Sequence, residues 1–253
     1  LKGVLVFTLA AVGIIFGSLT ISVLASKTKN PGGLITYADE FSGHKTACAF
    51  GWFQIFVYYP SLIVVVAGVA GVYLAMLYGI EITPEITLVV SLVFVAFFFA
   101  LNTLSVKLGG YFQNAATIIK LIPLFLIAIS GFVIGDVKTA FNEVPQTASS
   151  LGWLAALAPI AFSYDGWVVS TSIAHEIKNS KRNLPIALVV GPIFILAVYI
   201  LYFVGICILV GSQEILTLGD GHVTVAAEKI FGGIGSKIIL IFIIVSVLGT
   251  VNG

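Results

Sequence analysis

The stretch Ala161-Phe162-Ser163-Tyr164-Asp165-Gly166-Trp167 decides how this chain is read. It lies inside an otherwise apolar run from Leu151 to Ala174. Such a run is long enough to cross a hydrocarbon core about 30 Å thick, which takes about 20 residues of helix. An ionisable group at mid-span costs about 2.5–3.5 kcal/mol on insertion scales, so Asp165 needs a reason to be there. Ser163, Tyr164, Asp165 and Gly166 are consecutive, and at about 100° per residue they circle the whole helix. One packed face cannot hide all four. Pro159 upstream removes a backbone hydrogen bond. The pattern predicts an interrupted helix lining a polar cavity, with freed amides and carbonyls able to bind a ligand. An ordinary kink, with Asp165 paired to a neighbouring helix, is the alternative.

Composition extends that reading to the whole chain. Of 253 residues, 59% are hydrophobic and 9% are charged; mean hydropathy is +1.14. A soluble domain carries about 25% charged residues, so this chain cannot cover a globular surface in water. A net charge of +1 gives no footing for nucleic acid. Apolar runs of spanning length are Gly3 to Ser26, Thr46 to Ile80, Ile86 to Val106, Asn114 to Gly135, Leu151 to Ala174, Asn183 to Gln213 and Ile238 to Gly253. They are continuous rather than alternating, which excludes barrel strands. The fold class is an all-α polytopic membrane protein with about seven transmembrane helices, in one transmembrane domain over residues 1–253.

Lys27, Lys29, Lys45, Lys107, Lys178, Lys181 and Arg182 fall in loops on one side, which the positive-inside rule makes cytoplasmic. Glu81, Glu85, Asp136, Glu143, Glu214, Asp220 and Glu228 fall on the other. The first span then runs from outside to inside. The chain opens on Leu1 and stops at Gly253 within a span, so the expected reading is part of a longer protein. Asn30-Pro31-Gly32-Gly33 is a turn signal after the first span, and Leu34 to Gly43 fits a short surface helix. The stretch from Asp136 to Ser150 reads as an exposed loop, and Pro185 is suited to start a helix.

Lys120 is the second anomaly. Gln113, Thr117 and Lys120 share one helix face and should point into the bundle. A lysine this deep can carry charge in one state and lose it in another. The other reading is snorkelling to the cytoplasmic face, about 10 Å away. Glu176 ends the fifth run just ahead of Lys178, Lys181 and Arg182, with which it can pair. Ala67, Gly68, Ala70 and Gly71, and the pair Gly13 and Gly17, let neighbouring helices approach closely. His44, His175 and His222, with Cys48 and Cys207, make no metal-ligand set and no disulfide framework.

These residues resemble the amino acid–polyamine–organocation (APC) permeases, most of all the bacterial serine/threonine-exchanger-like and L-type branch. The resemblance rests on AFSYDGW followed by EIKNSKRNLP, on NPGG leading to TYADEFSG and Gly51-Trp52, on LNTLSVKLGGYFQNAATIIKLIPL, and on the closing LGTVNG. It covers nearly the whole chain and implies that the spans are the family's helices two to eight. The implied fold is a partial five-plus-five inverted-repeat core of the leucine-transporter type. The first helix, whose Gly-rich break receives the substrate carboxylate, and the helices after the eighth are expected to lie outside this sequence, so that the chain alone should not transport.

What the resemblance implies for function is secondary transport of amino acids, by rocking of a bundle that exposes a midplane site to each side in turn. Phe162 matches the aromatic gate over the substrate. Backbone carbonyls around Phe162, Ser163 and Asp165 would receive the substrate ammonium, Tyr164 is counted with them as substrate-binding, and Gly166 would permit the unwound chain. Lys120 matches a lysine that replaces a sodium ion in several members, with Ser246 or Thr250 beside it. The implied partners are an amino acid substrate, the lipid bilayer, and a proton or counter-transported amino acid; the implied place is the cell membrane. No cofactor, metal or enzymatic activity is expected. Ser180 stands where the family usually has Pro, and Asp165 where L-type members often have Gly. Two competitors are a seven-span receptor or retinal-type protein and a non-transporting remnant of a permease. The first lacks support, since no lysine lies in Ile238 to Gly253 and no NPxxY occurs late in the chain.

Overall fold

The computed structural model describes residues 2–28, 32–140, 152–172, 174 and 177–252. Asn30 and Pro31, most of the loop ending at Ser150, His175 and Glu176 lie outside the described residues. In chain order, α1 (Lys2–Lys27) is followed by a short α2 (Gly33–Ser42). A long composite helix comes next: α3 (His44–Phe53), a π-helical turn (Gln54–Tyr58) and α4 (Tyr59–Tyr78). Then come α5 (Pro84–Leu104), α6 (Val106–Ile134) and the single turn α7 (Val137–Ala140). The short α8 (Leu157–Ser163) precedes α9 (Ser180–Leu209), α10 (Ser212–Leu218), α11 (His222–Phe231) and α12 (Gly235–Asn252). Among the described residues there is no strand, and 6 helical stretches are long and apolar enough to cross a membrane. The chain is an all-α polytopic membrane protein.

Local chemistry sets the boundaries. Gly79 ends α4 at φ 65, a left-handed conformation that costs glycine little. Thr83 caps α5, its hydroxyl accepting from the amide of Ile86 at 3.3 Å, with Pro84 in the first turn. A single extended residue, Ser105, separates α5 from α6 and caps the latter by accepting from the Leu108 amide at 3.3 Å. The fourth span therefore starts upstream of Asn114. The π turn lies just before Pro60, which has no amide to give the preceding turn. Pro185 does not open α9: the helix begins at Ser180, after Asn179 at φ 53, and carries Pro185 in its second turn. The fifth apolar run is not one continuous helix; among its described residues only Leu157–Ser163 is α-helical.

The chain divides into two compact units, Leu1–Val57 with Pro145–Phe203, and Tyr58–Val144 with Val204–Gly253. In the first, α1 packs along α8, around Ala10, Ala11 and Tyr164 with Phe7, Ile160 and Tyr199 against them. In the second, α12 packs on α6, α4 and α11, and α4 on α5. Small residues occupy the contacts: Ala67, Ala70 and Ala116 are buried, while Val64, Phe99 and Val133 are largely exposed. This is the arrangement for a chain solvated by lipid tails, where apolar side chains gain nothing by hiding and close backbone approach does the packing. Gly71 lets the Thr87 backbone approach α4, since a Cβ there would lie 3.1 Å from the Thr87 carbonyl. In α1 a Cβ on Gly3 would collide with the Phe203 ring and Gly17 faces Trp167, whereas Gly13 has open space.

The tightest approach joins α6 to the end of α9. A Cβ on Gly205 would stand 2.6 Å from Cα and the carbonyl of Ala128, and one on Gly131 would collide with the Gly205 carbonyl. Gly205→Leu should force the helices apart and cost about 1–3 kcal/mol. Thermal melting of the purified protein in detergent checks this, with Gly13→Leu as the control expected to melt as the wild type.

Candidate functional site

The interruption expected in the fifth run is present. α8 stops at Ser163, Tyr164 to Val168 form turns, and a 3-10 turn follows at Val169–Thr171. Gly166 takes φ 95, which L side chains rarely adopt. The turns meet part of their own hydrogen-bonding need. The amide of Tyr164 donates to Ala161 O at 3.1 Å, that of Asp165 to Phe162 O at 3.0 Å, and that of Val169 to Gly166 O at 3.1 Å. The Ser163 hydroxyl donates to Ile160 O at 2.6 Å.

Side chains of α1 and α9 hold the break. Tyr199 donates its hydroxyl to the Ser163 carbonyl at 2.7 Å. Tyr164 turns inward, 5% exposed, its ring centroid 5.1 Å from that of Tyr199 in an edge-on contact. Its hydroxyl donates to Phe7 O at 3.4 Å. Phe162, Ser163, Asp165 and Gly166 are exposed. Of the five residues singled out in this stretch, four are thus open and Tyr164 is an anchor. The Phe162 and Ser163 carbonyls each accept one bond, and a carbonyl oxygen has a second lone pair to offer.

Beyond the break the chain is fastened to α2. Gly33 (φ +60) sits so close that a Cβ would lie 2.9 Å from the hydroxyls of Thr171 and Ser172. Tyr37 and Thr171 are both buried, and their side chains are hydrogen-bonded. Burial pushes the Tyr37 hydroxyl above its usual pKa, and nearby Glu40 adds to the effect. Thr28 ties the end of α1 to the same helix, donating to Glu40 Oε2 at 2.8 Å. Sequence reasoning had no signal for this fastening beyond the glycine pair at Gly32-Gly33.

Lys120, Ser246 and Thr250 belong to the second unit. Gly249 of α12 abuts Ala116 of α6, and Asn252 bonds Gln113. Residue numbers rise along α6 as they fall along α12, so the helices are antiparallel. About one turn on from the Ala116–Gly249 contact, 1.5 Å per residue, the register sets Lys120 level with Val245 and Ser246. Thr250 lies a turn away from Ser246 and donates to its carbonyl at 3.3 Å. Lys120 is half-buried.

A groove of about 570 Å³ opens between α2 and α3, lined by Ile35, Ala47, Trp52, Ile55 and Phe56 with Asp39 and His44 among them. It includes none of the predicted site residues. Among the described residues no three His, Cys, Asp or Glu side chains converge to hold a metal.

Comparison with known proteins gives this geometry a setting. Residues 2–253 match the family model described as "Amino acid permease". The serine/threonine exchanger SteT of Bacillus subtilis is 34% identical over 237 residues, 94% of this chain and 53% of its own. The b(0,+)-type amino acid transporter 1 of mouse is 30% identical over 252 residues, 96% of this chain and 51% of its own. The human cystine/glutamate transporter is 24% identical over 255 residues, 98% of this chain and 50% of its own. The chain spans about half the length of these curated relatives.

Nothing lies within 4 Å of a Cβ built on Gly166, so its φ alone should oppose substitution. Gly166→Ala and Gly166→Leu are each expected to cost about 1–2 kcal/mol of stability, nearly the same amount, because the strain is in the backbone. Detergent melting curves of the two variants check this; a much larger loss for Leu would mean crowding instead.

Proposed function

The chain belongs to the amino acid permease family, and on that premise we propose that the complete protein exchanges amino acids across the cell membrane by alternating access. The observation that carries this reading is the break after Ser163, an opening in an apolar run with exposed polar residues and carbonyls that have lone pairs to spare. The substrate ammonium sits at the C-terminal end of α8, where the helix dipole is negative. Phe162 O, Ser163 O and the Asp165 backbone receive it. The Phe162 ring, 45% exposed, closes over the substrate. Gly166 supplies the backbone freedom that keeps the chain unwound.

Lys120 serves coupling. Its ammonium stands where a co-transported cation would otherwise bind, with Ser246 and Thr250 as oxygen partners on α12. The charge can be held in one state and given up in another, which suits exchange and also suits proton symport. The name of one matched relative, a serine/threonine exchanger, favours exchange.

Radiolabelled amino acid uptake into proteoliposomes containing the complete gene product tests the reading. Phe162→Ala and Lys120→Ala should each cut uptake at least about tenfold, about 1.4 kcal/mol in transition-state terms, at unchanged protein recovery. Uptake near wild type in both would sink the site.

A further inference from the structure

Lys120 sits on α6 two turns from a cluster of carboxamide side chains. Asn102 near the end of α5 donates to Asn252 Oδ1 at 3.0 Å and to Phe98 O at 2.9 Å. Asn252, in the last turn of α12, donates through Nδ2 to Gly109 O at 3.0 Å and to Gln113 Oε1 at 3.4 Å. Three helices thus meet through one side chain, and Asn252 uses both its acceptor and its donors. Gly109 makes room for Asn102, with which a side chain there would collide. Gln113 and Lys120 lie on one face of α6, seven residues apart.

The next contact along the same pair of helices is Ala116 on Gly249, with no space for a larger residue. That contact fixes how near α6 and α12 come, but small apolar surfaces slide past one another easily. Directional bonds fix how far along and how far round each helix sits. A one-residue slip of α12 turns its faces by about 100° and moves Ser246 by about 1.5 Å relative to Lys120.

We propose that Asn252, clamped by Asn102, Gly109 and Gln113, is a positioning residue that locks α12 on α6 in the register that sets Lys120 level with Ser246. Asn252 acts through Lys120 and touches no substrate. The inference rests on the coupling role proposed above for Lys120.

Two readouts on the complete gene product in proteoliposomes test it. The first is the split between maximal rate and KM for amino acid exchange. Asn252→Ala should lower the maximal rate by about tenfold, within the range for neighbours sharing one network. KM should change by less than about twofold, because the break that receives the substrate is in the other unit. The second is cross-linking between Lys120→Cys and Ser246→Cys with a short bifunctional thiol reagent, in a background with Cys48→Ala and Cys207→Ala. The cross-link should form with Asn252 present and fall several-fold in Asn252→Ala. If Asn252→Ala gives no recoverable protein, Asn102→Ala serves in its place. It removes one partner only, and should show the same split and the same loss of cross-link at smaller size. An unaltered rate and cross-link in the variant, or a uniform fall in stability with the cross-link retained, would overturn the proposal. Lys120→Ala separates the two layers. Normal exchange in Lys120→Ala removes the coupling role and this proposal with it. Collapse in Lys120→Ala beside an unaltered Asn252→Ala overturns the positioning role alone.

Discussion

A backbone amide or carbonyl left without a partner in hydrocarbon costs several kcal/mol, and the chain is laid out under that constraint. Continuous helices meet it within themselves. The segment from Tyr164 to Val168 does not, and it is held by turn hydrogen bonds together with the hydroxyl of Tyr199 on the Ser163 carbonyl. The inward Tyr164 ring pins the same point from within. α1 and α9 thus brace the opening in the helix.

The second unit answers a different demand. Lipid tails are as apolar as leucine, so burial of large side chains does not drive its helices together. Gly71 against Thr87, Gly205 against Ala128 and Gly249 against Ala116 show close backbone approach instead. Where direction is needed, the cluster of Asn102, Gln113 and Asn252 supplies it. Lys120 sits half-buried within this unit.

The break was legible because four consecutive residues from Ser163 to Gly166 cannot share a packed face, and a helix offers no other place for them. Six of the seven expected spans were legible from the lengths of their apolar runs, and α2 from the turn signals around it; the described residues of the fifth run are not among the helices long enough to span. Ends were less so. Ser105 divides α5 from α6 in one residue, which a scan for charge-free runs cannot see because Lys107 looks like a loop residue. Pro185 and Pro192 ride inside α9, where the cost of a missing amide bond is met by the tertiary setting. Tyr164 looked like one more polar member of the break, and its inward turn depends on Tyr199 and Phe7, distant in sequence. The Asn102–Asn252 contact joins residues at opposite ends of a long separation, and single-residue composition carries no trace of such a pairing.

The most direct measurement is substrate protection of a thiol placed at the break. Ser163→Cys in the complete gene product, with Cys48→Ala and Cys207→Ala, is reconstituted and labelled with a membrane-impermeant thiol reagent in the presence and absence of L-amino acids. Labelling without substrate, slowed several-fold by at least one amino acid and not by a sugar, is the expected result for a break that seats the substrate. A thiol that labels at the same rate with every amino acid present would contradict it.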